Sequence, residues 1–256
     1  MDRCLEGKTA LVTGASRGIG RSIAQRLAAS GALVAINFAA NEAAALETLK
    51  LVEAAGGEGF LIHVALGEKG AAEELTRILT RELKGRTGSP ELDILVNNVG
   101  SCVPKYILET TWDIFSRDIA NNITSPFFTT KELIPYLRDN GRVINISSAG
   151  SRLALESELI YCMCKGAVDV FTRGLAKELG SRGITVNAVS PGLVATDAAD
   201  EYMNNQAVLD ELKSRTALGR AYGTSEEIAE VVHALATPAM GWVTGENVEA
   251  SGGFAI

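Results

Sequence analysis

The sequence predicts an α/β protein, a single doubly wound domain whose mostly parallel, seven-stranded sheet carries helices on both faces. Apolar segments rich in β-branched residues recur along the chain and alternate with segments of helical periodicity. Such alternation is typical of parallel strands joined by crossover helices, with the ligand outside the carboxyl ends of the strands. Because 256 residues, 46% of them hydrophobic, suffice for one large core, we expect residues 1–256 to form one domain.

Seven segments fit the strands of this sheet. They span residues 9–13, 33–37, 59–64, 94–97, 142–147, 185–189 and 247–250. Ile19, Ile23 and Leu27 follow the first segment at the spacing of one helix face. A second apolar stripe, in residues 46–52, follows the second segment and ends before a pair of glycines. The beginning of the chain therefore reads as strand, helix, strand, helix.

Composition limits the possible partners and compartments. The net charge is −7 and no basic run is present, which argues against nucleic acid as a partner. We find no signal peptide and no apolar run long enough to cross a bilayer, so we expect a cytoplasmic protein with no membrane partner. The cysteines are too scattered for a disulfide framework, and we expect all four to be reduced: Cys4, Cys102, Cys162 and Cys164.

The two histidines are placed as structural residues. His63 lies on a predicted strand and His233 on a predicted helix, so neither a histidine-rich metal site nor a Ser-His triad is indicated. We therefore expect no metal, and a tyrosine becomes the best candidate acid.

Tyr161 and Lys165 stand one helical turn apart on the same helix face. A free phenol titrates near pH ~10, and a neighbouring cation is expected to lower the pKa of Tyr161 toward neutrality. Such a pair suits proton transfer. Taken alone, it favours an exposed helix face that has one aromatic anchor, and the proton-transfer interpretation depends on the motifs that accompany it.

A glycine-rich turn joins the first strand to the first helix. Gly14, Gly18 and Gly20 follow the pattern T-G-x-x-x-G-x-G. The turn either brings backbone amides close to a diphosphate or only provides the positive φ angles of a tight connection. Its position between the first strand and the first helix favours the diphosphate.

The end of the second strand indicates which dinucleotide binds. An NAD enzyme places an acidic residue there for the ribose hydroxyl, whereas residues 36–41 contain none. Arg17, inside the glycine turn, can contact a 2′-phosphate, although it can also be an ordinary surface cation. NADP(H) is therefore the predicted cofactor.

Further motifs agree in order and spacing. Asn97-Asn98-Val99-Gly100 follows the fourth strand, Ser148 stands thirteen residues before Tyr161, and Pro191-Gly192 follows the sixth strand. With these motifs the whole chain resembles the short-chain dehydrogenase/reductase family in its classical form, a single Rossmann domain. It looks most like the 3-oxoacyl-carrier-protein reductases, a branch that also contains reductases of polyketides and other secondary metabolites.

The resemblance implies a role for each catalytic residue. Tyr161 is the general acid, and Lys165 lowers its pKa and binds the nicotinamide ribose. Ser148 holds the substrate carbonyl, with Ser147 as the competing candidate. Asn122 holds a water in a proton relay to the lysine, and the adjacent Asn121 is its alternative.

The resemblance also implies a set of cofactor-binding residues, among which Thr196 contacts the nicotinamide carboxamide. The set is Gly14, Ser16, Arg17, Gly18, Ile19, Gly20, Phe38, Ala39, Ala65, Leu66, Asn98, Gly100, Tyr161, Lys165, Pro191, Gly192, Val194 and Thr196.

The chain departs from the family pattern at three positions. Ala65 stands where an aspartate commonly meets the adenine, so Ala65 and Leu66 must hold the ring by packing and backbone contacts. Val99 replaces an alanine and adds bulk near the cofactor ribose. Ala250 replaces an aspartate near the C-terminus, from which we infer no loss of function.

Residues 197–215 read as a mobile helical lid over the substrate. Apolar residues of this lid and of the 102–104 loop predict a partly apolar pocket, with Glu156 and Glu158 at its entrance. An acidic rim does not favour an acidic carrier protein, so a small ketone or a polycyclic polyketide competes with a carrier-bound acyl chain. By resemblance the long helices 111–137 and 161–180, with residues 242–245, imply a homotetramer or homodimer.

The sequence thus predicts an NADPH-dependent oxidoreductase that reduces a small-molecule ketone to a secondary alcohol. Two alternatives remain open at this point. One is an NADP-dependent dehydrogenase that oxidises a small-molecule alcohol, and the other is a noncatalytic dinucleotide sensor.

Overall fold

A computed structural model describes residues 3–254, so two residues at each end of the predicted domain lie outside it. Seven parallel strands form one sheet in the order β3-β2-β1-β4-β5-β6-β7. The strands are β1 (Thr9–Val12), β2 (Leu33–Phe38), β3 (Glu58–His63), β4 (Leu92–Asn97), β5 (Leu137–Ile146), β6 (Thr185–Pro191) and β7 (Asn247–Ala250). Every predicted strand is present, and the sheet is wholly rather than mostly parallel.

Helices cover both faces of the sheet. They are α1 (Gly18–Ala29), α2 (Glu42–Ala54), α3 (Ala71–Thr87), α4 (Trp112–Ile119), α5 (Ser125–Leu133), α6 (Leu159–Leu179), α7 (Asp200–Met203), α8 (Gln206–Ser214) and α9 (Ser225–Ala236). Apolar residues of α1 and α9 pack on one face, and those of α3, α5 and α6 pack on the other. The two cores share the central strands, whose side chains alternate between the faces.

The strand order places a crevice at the centre of the sheet. From β1 the chain builds outward to β3, then returns to the other side of β1 and builds outward to β7. Loops that leave β1 and β4 therefore diverge to opposite faces, and ligands bind at such a switch point in open parallel sheets.

The predicted helix 111–137 is wrong in detail. A π-helical turn at Ala120–Thr124 separates α4 from α5, and a 3₁₀ turn at Ile134–Tyr136 leads directly into β5. Pro126 and Pro135 have no amide hydrogen, so neither can donate the i→i−4 bond of a continuous helix. Consequently β5 begins at Leu137, five residues before the predicted start.

Buried side-chain amides of two asparagines link the central strands β4 and β5 to helices α5 and α6. The Asn97 side chain donates to Thr130 Oγ1 and to Asn145 Oδ1, each at 2.9 Å. Asn145 Nδ2 in turn donates to Thr172 Oγ1 at 2.9 Å. Because buried polar groups are costly when unpaired, this chain of bonds sets how α5 and α6 sit against β4 and β5.

Two glycines give a matched test of packing between α1 and the α2–β3 connection. A Cβ at Gly57 would lie 2.6 Å from Ala28 Cβ, whereas one at Gly85, in α3, would meet nothing within 4 Å. We expect Gly57→Ala to lower the free energy of unfolding by about 1–3 kcal/mol. Gly85→Ala should raise it by about 0.5–1 kcal/mol, because alanine stabilises a helix interior. Urea unfolding measures both changes. An unchanged urea midpoint for Gly57→Ala would contradict the close approach of Gly57 to Ala28.

Candidate active site

The predicted site residues all lie at the carboxyl edge of the sheet. The glycine turn follows β1, Phe38 ends β2, Ala65 and Leu66 follow β3, and Asn98 and Gly100 follow β4. Ser148 follows β5, and Pro191 ends β6. The remaining residues are Asn122 in the π turn, Tyr161 and Lys165 on α6, and Gly192, Val194 and Thr196 after β6.

The glycine turn requires its glycines. Gly14 and Gly18 have φ angles of 62° and 55°, in the left-handed region that favours glycine. A Cβ at Gly20 would lie 2.5 Å from Asn98 Nδ2 and 2.6 Å from the Gly14 carbonyl oxygen. Asn98 Nδ2 donates to the carbonyl oxygens of Thr13 (2.9 Å) and Gly14 (3.1 Å). Asn98 therefore holds the turn in place from β4.

The turn fits a bound diphosphate. Helix α1 begins at Gly18, its N-cap Arg17 makes no side-chain capping bond, and its first turn contains no acidic residue. Unpaired amides and the helix dipole at such an end favour an anion. On this geometry the β1–α1 turn can hold the phosphates of a dinucleotide.

The end of β2 is bonded to the glycine turn and to the end of β3. Asn37 is buried, and its Oδ1 accepts a bond from the Gly14 amide at 3.3 Å. The Phe38 ring is buried and stacks on His63 with a centroid distance of 4.8 Å. His63 Nε2 lies 2.7 Å from the Ala39 carbonyl oxygen. The Phe38 side chain therefore packs inside the protein, and the next residue, Ala39, is exposed.

Arg17 has a partner on a different segment. Its guanidinium lies 3.3 Å from the Asp197 carboxylate, and both side chains are more than half exposed. An exposed ion pair of this kind contributes at most about 1 kcal/mol, so a phosphate can compete with it. The cation predicted to meet the 2′-phosphate is thus joined to the start of segment 197–215.

Lys165 is the central cation of the site. It is 3% exposed, and Nζ donates to the Ile146 carbonyl oxygen at 2.8 Å. Burial lowers the pKa of Lys165 to about 8. A Cβ at Gly100 would lie 3.2 Å from Nζ and 2.9 Å from Asn122 Oδ1, so only glycine fits between them.

Asn122 is fully buried in the π turn. Its Nδ2 donates to the carbonyl oxygens of Ser101 (2.8 Å) and Asp118 (2.9 Å), which fixes the side chain. Since Pro126 has no amide hydrogen, the main-chain carbonyl of Asn122 lacks its ordinary α-helical donor. Asn121 instead donates to Ser101 Oγ. The arrangement favours Asn122 over Asn121 as the polar group beside the lysine.

Ser148, rather than Ser147, contacts Tyr161. Ser147 Oγ is 2.6 Å from Asp169 Oδ1 and 3.3 Å from the Lys165 carbonyl oxygen, so it anchors α6. Ser148 Oγ accepts the Gly150 amide at 3.1 Å and hydrogen-bonds to Tyr161. Two hydroxyls, those of Ser148 and Tyr161, are thereby adjacent.

The expected lowering of the Tyr161 pKa is wrong for this geometry. Burial raises the pKa of Tyr161 above its usual range and outweighs the opposing hydrogen bond from Ser148. The Lys165 ammonium lies 5.4 Å from the centroid of the Tyr161 ring and donates to Ile146 instead of the phenol. Tyr161 is therefore a protonated acid at neutral pH.

Segment 197–215 forms α7 and α8 and touches both halves of the site. A Cβ at Gly18 would lie 3.4 Å from the Thr196 side chain, which places the start of the segment against the glycine turn. Tyr202, in α7, donates its hydroxyl to Glu158 at 2.6 Å. The segment thus contacts the predicted cofactor loop at one point and the loop before Tyr161 at another.

Several residues that organise the site were not singled out from the sequence. Asn37, Asp118 and Asp169 act through contacts with residues distant along the chain, which no local pattern marks. His233 also has unexpected neighbours, with Ser30 Oγ at 3.0 Å and Cys4 Sγ at 3.5 Å from Nε2. Because Ser30 is fully buried, its hydroxyl is not accessible to a substrate, and the group resembles a Ser-His pair only in composition.

Comparison with known proteins agrees with this geometry. Residues 14–255 match a short-chain dehydrogenase family model described as enoyl-(acyl carrier protein) reductase. A 3-oxoacyl-[acyl-carrier-protein] reductase from Synechocystis sp. is 35% identical over 255 residues, which cover 98% of each chain.

Two solved structures share the fold over nearly the whole chain. The promiscuous reductase LugOII, which catalyses keto-reduction at C1 during lugdunomycin biosynthesis, is 40% identical with a TM-score of 0.93, covering 98% of this chain and 99% of that one. The angucycline C-6 ketoreductase LanV, with bound NADP, is 41% identical with a TM-score of 0.93, covering 98% and 96%. Since the family model and these relatives span almost the entire sequence, the protein belongs to the short-chain dehydrogenase/reductase family of oxidoreductases, as its motifs predict.

Proposed function

We propose that this protein reduces a ketone to a secondary alcohol with NADPH as the hydride donor. The observation that carries the proposal is the convergence of Ser148, Tyr161, Lys165 and Asn122 beside a turn shaped for a diphosphate. Two reductases of about 40% identity, LugOII and LanV, support the reaction, and the NADP bound to LanV supports the cofactor.

The chain supplies the proton and the electrostatic stabilisation. NADPH, when bound, provides the hydride that reaches the carbonyl carbon. Negative charge then develops on the carbonyl oxygen, where the hydroxyls of Ser148 and Tyr161 donate hydrogen bonds. The Tyr161 proton passes to that oxygen, and the Lys165 ammonium nearby stabilises the phenolate left behind.

The active-site side chains favour an enzyme over a noncatalytic sensor. A sensor has no need of a buried lysine and an adjacent pair of hydroxyls, whereas both serve proton transfer. The same groups serve the oxidation of an alcohol in the reverse direction, so the choice of reduction rests on the ketoreductase relatives.

Two substrate classes compete, and we favour a cyclic or polycyclic ketone. LugOII and LanV act on such natural products by their descriptions, and they are more similar to this chain than the carrier-protein reductase from Synechocystis sp.. We assign Glu156 and Glu158 to the entrance of the substrate site, where an acidic carrier protein would be repelled. A 3-oxoacyl thioester is the second candidate.

The individual residue roles belong to the same proposal. The cofactor is assigned to the glycine turn, Phe38 and Ala39, Ala65 and Leu66, Asn98 and Gly100, and the stretch from Pro191 to Thr196. Residues 197–215 are assigned as the substrate lid. Free thiols at all four cysteines suit a reducing compartment and support a cytoplasmic location. Among residues 3–254, no helix is both long and apolar enough to cross a membrane.

Tyr161→Phe tests the assigned acid. The wild-type protein should oxidise NADPH with at least one of a panel of polycyclic aryl ketones, 3-oxoacyl thioesters, diketones and keto-sugars. The variant should bind NADPH with nearly wild-type affinity, measured by fluorescence titration, and lose turnover by about 10³-fold or more, because the proton donor is removed. Retained turnover would eliminate Tyr161 as the acid.

Ser148→Ala and Ser147→Ala form a matched pair. Removing the Ser148 hydroxyl should lower kcat by about 10²–10³-fold, as loss of one donor to a developing oxyanion does. Ser147→Ala should lower the free energy of unfolding by about 1–2 kcal/mol through the lost Asp169 bond, while kcat changes far less. The reverse order of the two kcat values would reassign the carbonyl contact to Ser147.

Arg17→Ala tests the choice of cofactor. Loss of a charge-assisted contact to the 2′-phosphate should raise KM for NADPH by about 10–100-fold and leave KM for NADH nearly unchanged. Asp197→Asn, which removes the ion pair with Arg17, is the control and should not raise KM for NADPH. Equal increases in KM for both cofactors would show that Arg17 does not read the phosphate.

A homotetramer, or failing that a homodimer, completes the proposal. Large apolar side chains are exposed around α4 to α6 and near the C-terminus, with Leu108, Trp112 and Trp242 at 98%, 78% and 100% exposure. Such surfaces mark contacts between protein chains. Size-exclusion chromatography with light scattering should give the mass of about four chains, and a stable monomer would refute the assembly.

A further inference from the structure

Glu158 holds a carboxylate between the proposed lid and the proposed proton donor. It is the N-cap of α6, three residues before Tyr161, so the two residues lie near one face of the same helix end. Its Oε1 accepts the Tyr202 hydroxyl of α7 at 2.6 Å in a partly buried contact. The carboxylate therefore stands where segment 197–215 meets the start of the helix that carries Tyr161.

Glu158 has one polar partner among the residues that the structure describes. Within residues 3–254, its Oε1 accepts the Tyr202 hydroxyl, and neither a second hydrogen bond nor an ion pair to its carboxylate is found. The field of this carboxylate reaches the groups that line the cleft. After burial it is the second cause that raises the pKa of Cys102, to about 12, and it also acts to raise the pKa of Tyr161.

The backbone fixes Glu158 in this position. The preceding residue, Ser157, has a φ of 59°, which is unusual for a residue other than glycine. The Ser157 carbonyl oxygen accepts the Lys105 amide at 2.6 Å, and the Glu158 carbonyl oxygen accepts the Cys162 amide at 2.9 Å. A strained turn held from both sides is characteristic of a site that positions a side chain.

We propose that Glu158 determines specificity by accepting a hydrogen bond from a hydroxyl group on the ketone substrate, with the Tyr202 hydroxyl holding the carboxylate in place. The inference rests on the proposed ketoreductase function and names its substrate class, a neutral hydroxylated ketone. A carboxylate with one free oxygen at the edge of a cleft is matched by a hydroxyl donor. A carboxylate on the substrate would face a like charge at the same point and be rejected.

The expected discrimination follows from the cost of unpaired polar groups. A substrate without the hydroxyl leaves Oε2 shielded from water and without a donor, and hydrogen bonds to charged groups are worth about 1.5–3 kcal/mol. That range corresponds to about 10–100-fold in kcat/KM. A role of Glu158 in lid attachment alone would instead change all ketones by the same factor.

The experiment compares 2-tetralone, its ring-hydroxylated isomers and a ring-carboxylated analogue, each with NADPH. Wild-type protein should prefer at least one hydroxylated isomer over 2-tetralone by about tenfold or more in kcat/KM, and should discriminate against the carboxylated ketone. Glu158→Gln should bring the hydroxylated-to-parent ratio close to one and improve the relative rate of the carboxylated ketone. Glu156→Gln, which removes the neighbouring carboxylate bonded to Tyr106, should keep the wild-type ratios.

Tyr202→Phe separates selectivity from lid closure. It should lower kcat/KM for every ketone, and it should reduce the hydroxylated-to-parent ratio less than Glu158→Gln does, because the carboxylate remains. Equal effects of Glu158→Gln on all ketones, or a wild-type protein that prefers no hydroxylated isomer, would overturn the inference.

Dissociation constants from calorimetry, measured on the NADPH-loaded Tyr161→Phe protein with and without Glu158→Gln, distinguish the two proposals. Selective binding of the hydroxylated ketones that depends on Glu158, without turnover by the wild type, would uphold this inference while the proposed function fails. Turnover of ketones without such selectivity would do the opposite.

Discussion

The site depends on a buried ammonium. Lys165 Nζ is bonded to the Ile146 carbonyl at the end of β5 and lies across Gly100 from Asn122. An isolated buried charge is expensive, so the polar groups around it cannot be exchanged freely. Residue 100 must lack a side chain, because a Cβ there would lie too close to Lys165 Nζ. The π turn positions Asn122 beside the same ammonium. The contact between Ser147 and Asp169 fixes the position of α6 along the sheet.

Burial acts in opposite directions on the two titrating groups of α6. It lowers the pKa of Lys165 to about 8 and raises that of Tyr161, because the neutral form of each group is favoured away from water. Groups with such separated tendencies can serve as acid and charge stabiliser in one site. The phenol can therefore donate its proton to an oxygen on which negative charge develops, and the ammonium can stabilise the phenolate that remains.

The sequence predicts the sheet well and the site in part. All seven strands are predictable because β-branched segments alternate with helical stripes, and the glycine turn is predictable from its spacing. The break of helix 111–137 is not predicted, although Pro126 and Pro135 mark it, because apolar periodicity continues through both prolines. The spacing to Tyr161 favours Ser148 over Ser147, but the contact between Ser147 and Asp169 joins residues too distant along the chain to be predicted. The direction of the Tyr161 pKa shift is not predictable because spacing reveals a nearby cation but not the loss of solvent.

Departures from the family pattern are accommodated by their neighbours. Val99, which replaces a smaller alanine, places Cγ2 3.1 Å from where a Cβ at Gly14 would be. The larger side chain therefore fills space that only a glycine at position 14 leaves open, and the two positions are coupled. The backbone amides of Val99 and Asn98 both donate to Thr13 Oγ1, so the loop after β4 is bonded to the end of β1 as well as packed against it. Val99 thus packs against the glycine turn at a position that a side chain at residue 14 would occupy.

The proposed lid is attached to both reactant sites by contacts of different strength. The Arg17 pair with Asp197 is exposed and weak, so an anion at the glycine turn can displace it. The Tyr202 bond to Glu158 is shorter and partly buried, and a substrate hydroxyl can join it without breaking it. Cofactor binding would therefore release one end of segment 197–215, while substrate binding would strengthen the other. The two reactants therefore act on different ends of the proposed lid, because an anion competes with Asp197 for Arg17 and a substrate hydroxyl adds to the bond between Tyr202 and Glu158.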